Sequence, residues 1–172
     1  MLHLTKCRYG SQFWGWIFGV CQDVLRMPAP QDPSFAIIFN IWNPRDSKPA
    51  LAPMPACALM RHAFNCYYYE LVTVATNKTK VFHAEHVFAK TMRSYRNAVI
   101  AYALGERLAL LKNKYSGKKP FSLRPRTIKR VAPLVSINPQ TGSFELTDEL
   151  LQAVDKAETL SANLHSQQWN NN

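Results

Sequence analysis

Hydrophobic positions recur with different periods along this chain, and the clearest period lies in its second half. Residues His83 to Lys114 contain no proline and are rich in Ala, Leu, Lys, Arg, Glu and Met, so they read as one long helix. On a wheel of about 100° per residue, Phe88, Met92, Tyr95, Val99, Tyr102, Ala103 and Leu110 share an arc of about 100°, the width of a buried stripe. Arg93, Arg96, Arg107 and Lys114 fall within about 60° beside that stripe, and Lys90, Lys112, His83 and His86 continue the polar arc. Ile100, Leu104, Leu108 and Leu111 interrupt it, which predicts a second half covered on two sides. At about 1.5 Å per residue the segment spans roughly 48 Å. Gly105 is the expected point of a bend or a break into two helices.

Other elements follow on either side. Phe13 to Cys21 is a nine-residue apolar run after Lys6 and Arg8. It predicts a buried first helix, about residues 11–26, whose aromatics fill the core or dock on a partner subunit. Its outline resembles a signal peptide. Asp23 and Arg26 follow closely, however, and no small-residue cleavage site precedes Pro28. The run falls short of the roughly 20 apolar residues of a membrane helix.

Phe35 to Trp42 is a continuous apolar run of strand length ending at Asn43-Pro44-Arg45-Asp46, which predicts a buried strand and a turn. Pro49, Pro53 and Pro55 predict an extended loop over 44–55, long enough for a binding role or for filler. Ala56 to Tyr69 reads as helix, and the alternating β-branched residues of 67–76 read as a strand closing at Asn77-Lys78. Val131 to Ile137 and Ser143 to Leu146 read as a hairpin around Asn138–Gly142. Thr147 is placed to cap a last helix, with Asp148 and Glu149 in its first turn. Leu150, Leu151, Val154, Ala157, Leu160 and Leu164 form its buried face. The expected whole is an α+β fold, mainly α: a long central basic helix (about 83–114), an N-terminal aromatic helix, a few short strands and a C-terminal helix. It makes one basic globular domain over 1–165 with a polar tail at 166–172.

Charge changes the picture. Residues 78–130 hold fourteen of the 21 lysines and arginines against only Glu85 and Glu106, a net +12. The flanking parts carry +2 before it and −4 after it. Such segregation points to a polyanionic partner. Beyond the helix, Lys118, Lys119, Arg124, Arg126, Lys129 and Arg130 surround Pro120 and Pro125, with Phe121 and Leu123 among them, so this block is an arm or an extended connection. Arginine offers a donor fork to phosphate and a flat face to bases. The bland readings are a solvated helix face and a solvated linker. Tyr67, Tyr68 and Tyr69 could stack on bases, or pack together in a half-buried sheet.

Candidate chemistry is sparse. Cys7, Cys21, Cys57 and Cys66 form no CxxC pair and read as reduced thiols in a cytoplasmic protein. Cys57, His62, Cys66, His83 and His86 could supply zinc ligands, but 57, 62 and 66 do not share one helical face. His83-Ala84-Glu85 resembles the His-Ala-Glu element of zinc-dependent nucleoside and nucleic-acid deaminases, in which the His binds zinc and the Glu moves protons. That element needs a downstream Pro-Cys-x-x-Cys, and no cysteine follows Cys66. There is no GxSxG, Walker loop or GxGxxG. The expectation is a non-enzymatic protein without metal or cofactor. It would bind RNA or DNA backbone through Lys90, Arg93, Arg96, Arg107, Lys114 and the arm, as a subunit of a ribonucleoprotein or nucleoprotein complex and away from membranes. The alternatives are an inhibitor or adaptor docking on an acidic protein, and a nuclease or deaminase-like enzyme with a noncontiguous site.

Overall fold

The first two helix starts in this chain are set by short side chains that satisfy free backbone amides. The extended Cys7 accepts the Gly10 N–H on its sulfur at 3.1 Å, and α1 runs from there over Arg8–Asp23. It therefore begins and ends three residues before the expected 11–26. Asp32 accepts the Ser34 N–H at 2.9 Å, and Pro33 opens α2 (Pro33–Phe39). The computed structural model describes residues 7–42, 50–51, 54–115, 133–138, 141 and 143–169.

The strand expected over 35–42 is thus a helix, and only Ile41–Trp42 remains as strand β1. A short apolar run buried all round suits either element, and the Asp-Pro start decides it. Asn40, with φ of 53°, ends α2 in the left-handed region. β1 pairs antiparallel with β2 (Ala50–Leu51), Trp42 opposite Ala50. The Trp42 indole donates to the Pro28 carbonyl at 2.6 Å.

Next comes α3, a single helix over Met54–Thr76. The strand expected at 67–76 does not exist. Ala56, Leu59, Met60, Ala63 and Tyr67 are all buried at helical spacing, and Val74 packs on the same core. This stripe outweighs a β-propensity whose whole range is about 1 kcal/mol. The central helix, α4, spans Ala84–Tyr115 as expected and continues through Gly105 without a break. One helical glycine costs only about 1 kcal/mol. Strands β3 (Val135–Ile137) and β4 (Phe144–Leu146) make the expected hairpin, with Ser136 opposite Glu145. The last helix, α5 (Asp148–Trp169), reaches four residues into the expected polar tail, since nothing after Leu164 breaks a helix. The Thr147 hydroxyl donates to the Pro133 carbonyl at 3.0 Å, so it ties the hairpin to α5.

α4 is the axis of the packing, with α1, α3 and α5 against it. Its buried side includes Ala84, Val87, Phe88, Ala89, Met92, Tyr95, Val99 and Ala103. Tyr102, expected in that stripe, is 43% exposed, and Leu104 is 44% exposed rather than covered. The aromatic run of α1 meets this side. Phe13 stacks on Tyr67 at 5.2 Å between ring centroids, Trp14 lies 5.0 Å from Phe13, and Trp16 lies 5.3 Å from Phe88. Fully burying such side chains is worth about 1.5–3 kcal/mol each. On α5, Leu150, Val154 and Ala157 are buried, whereas Leu151 is 40% exposed. Among the described residues no helix is long and apolar enough to cross a membrane.

Candidate nucleic-acid interface

Two opposite sides of α4 result from its period. The side away from α1 presents His86, Lys90, Arg93 and Asn97 to solvent, each one turn from the next. Helix α3 borders this strip on one flank. There the Ser94 hydroxyl pairs with Nδ1 of His62 at 3.0 Å, and the Lys90 ammonium sits 5.1 Å from the ring centre of Tyr69. Burial, and then the Arg61 charge, push the His62 pKa below its ordinary value. Helix α5 borders the other flank. Nδ1 of His86 lies 3.3 Å from the Ser161 hydroxyl, and the Arg93 guanidinium pairs with Glu158 at 3.2 Å.

The expected basic residues therefore differ in what they offer. Lys90 is exposed and leans on an aromatic ring. Arg93 is about half-exposed and already has a carboxylate, in a pair worth about 0.2–1 kcal/mol at such exposure. Arg96 is half-buried, and its Nε, cut off from water, has no partner among the described residues. Its aliphatic stem extends the packed side rather than the strip. Arg107 and Lys114 lie on the last three turns of α4, where only the backbone is described. Lys118, Lys119, Arg124, Arg126, Lys129 and Arg130 fall outside the described residues.

The three tyrosines separate. Tyr67 is 2% exposed, and its hydroxyl lies 3.9 Å from the Cys7 sulfur. Burial first, then that contact, push its pKa up. Tyr68 and Tyr69 are 60% and 66% exposed. The two alternatives for these tyrosines, a stacking surface or a half-buried sheet, divide between them, since a strand sends 67 and 69 to one face and 68 to the other. On a helix, 67 joins the stripe of 56, 60 and 63 while 68 and 69 turn outward. Lys78 and Lys80 follow in the turn that closes α3, also exposed. Asn77 fixes that turn: its side chain accepts the Thr79 N–H at 3.2 Å and its carbonyl accepts the Lys80 N–H at 3.0 Å.

The deaminase-like triplet lies at the start of α4. Ala84 is buried, and Glu85 accepts from the Gln12 amide at 3.4 Å. Among the described residues no three His, Cys, Asp or Glu side chains gather as metal ligands. Cys21 is buried, which pushes its thiol up to about 12. The described residues form, among others, two clefts of about 390 Å³ each. One lies between α2 and α3, lined by Ile37, Ile38, Arg61 and Phe64. The other lies between α1 and α5, beside Trp16, Asp23 and Glu149. No family model, no curated protein and no solved structure matches this chain.

Proposed function

We propose that this chain is a non-catalytic, nucleic-acid-binding subunit of a cytoplasmic ribonucleoprotein or nucleoprotein complex. It holds the phosphate backbone through the exposed strip of α4 and the basic segment that follows. The observation that carries this reading is the segregation of fourteen cations against two carboxylates in residues 78–130. Lys78, Lys80, Lys90 and Arg93 of that set are exposed. Contacts of this kind fix position on a backbone without reading sequence.

The test is binding of labelled RNA and DNA of random sequence across a salt series. With about five phosphates contacted, log K falls against log salt with a slope near −3.5 on single strands and −4.5 on duplex. Binding without salt dependence, or none at low salt, overturns the reading.

A second reading, docking on an acidic protein surface, is favoured by one observation. Leu71, Val72 and Val81 are exposed close in sequence to Lys78 and Lys80. Exposed apolar side chains close in sequence to charge suit a protein partner.

A further inference from the structure

We propose that the nucleic acid taken by this surface is single-stranded, its bases stacking on Tyr69 and Tyr68 while Lys90, Lys78 and Lys80 hold the adjoining phosphates. This rests on the nucleic-acid reading above and names its substrate class.

Two neighbouring tyrosines stand outside a core that takes Tyr67, Tyr95, Phe13 and Trp14 almost completely. A tyrosine left 66% in water, on a helix whose other face is packed, leaves an apolar ring without cover. Tyr69 has one ring face turned to the Lys90 ammonium, and its exposure leaves the opposite face open. The cation braces the ring from one side and leaves the other side for a base. Tyr68 is similarly braced, its ring parallel within 5° to that of Phe64 at 6.2 Å. Tyr68 and Tyr69 lie in the second half of α3, and Lys78 and Lys80 follow in the turn that closes it. Exposed rings and the exposed cations Lys90, Lys78 and Lys80 thus occur on neighbouring stretches, a combination suited to a flexible strand. A duplex cannot use the rings, because its bases already stack on one another and present only edges in the grooves.

The probe is a labelled oligonucleotide longer than the roughly 4–16 nucleotides of a typical single-strand site. It is measured alone and annealed to its complement, at one salt concentration, against the full chain. We expect the single strand to bind more tightly than the duplex. Tyr69→Ala should weaken single-strand binding by roughly 5- to 150-fold and duplex binding far less. Tyr69→Phe should keep wild-type affinity, because stacking needs the ring and not the hydroxyl. Tyr68→Ala should fall in the same direction. Circular dichroism confirms that each variant is folded.

Salt-dependent binding that Tyr69→Ala leaves unchanged, or weakens equally on both forms, overturns this inference and leaves the function proposed above standing. Absence of binding to either form overturns both. A protein partner of the native complex lost from the Tyr69→Ala variant, with oligonucleotide affinity intact, reassigns the tyrosines to protein docking and also overturns the inference.

Discussion

Tyr67 and Tyr69 are two residues apart on α3, yet one is 2% exposed and the other 66%. They belong to two regions that share α3 and α4 and differ in chemistry. The first is the aromatic core where α1 meets both helices: Phe13, Trp14, Ile17, Tyr67, Phe88 and Tyr95, with no charged side chain among its buried residues. The second is the open strip of Tyr69, His86, Lys90 and Arg93. In the first, every ring touches another ring and little can change without leaving a void. In the second, contacts lie nearer the surface: a cation over a ring, an ion pair, a histidine beside a hydroxyl. The difference separates what holds the chain together from what is free to engage a partner. Sequence clusters of charge and of aromatics do not make that separation. Arg93 and Arg96 are three residues apart, yet Arg93 is exposed and Arg96 half-buried.

The largest expected effect comes from breaking the core. Trp14 is 1% exposed, and Trp14→Ala should cost about 3–5 kcal/mol, a large share of the stability of a domain this size. Its indole nitrogen is buried without a partner among the described residues, so Trp14→Phe removes an unsatisfied donor and should cost less. Thermal and urea unfolding of both variants measure this. Unchanged melting in Trp14→Ala would show that the ring is not core.

Breaking the strip should leave stability alone and lower affinity. Lys90→Ala with Arg93→Ala should make the salt slope shallower by about 1.4–1.8, two phosphate contacts' worth. Arg124→Ala with Arg126→Ala removes the same charge from the proline-bounded segment. It should cost less affinity, because a rigid helix presents its cations without an ordering penalty. Titrations of both pairs at one salt concentration compare them. Equal losses would mean that net charge alone decides, and a larger loss from the second pair would move the binding surface off α4.

A smaller change sharpens the contrast. Glu158→Gln releases Arg93 from its carboxylate at a stability cost of about 0.2–1 kcal/mol, and should strengthen oligonucleotide binding by a few-fold. Tighter binding places Arg93 on the path of the strand. Weaker binding would mean that the ion pair holds Arg93 in its working position.

The sequence alone determined the features that are local or periodic. A proline-free segment rich in helix formers made α4. Its period placed Phe88, Met92, Tyr95 and Val99 inside and Lys90 outside. The Asn138–Gly142 loop, with β-like runs on both sides, made the hairpin. The acidic turn after Thr147 started α5. These follow from backbone sterics and side-chain direction, which act within a few residues.

Only the tertiary structure decided the rest. Tyr67 to Thr76 remained helix, because Tyr67 and Val74 meet the core at helical spacing. Propensity differences of about 1 kcal/mol do not resist that burial. The same packing turned Tyr68 and Tyr69 outward, set Arg93 against Glu158 and drew Arg96 toward the interior. A charge's partner is fixed by which helix folds over it, and that depends on residues 60 or more positions away.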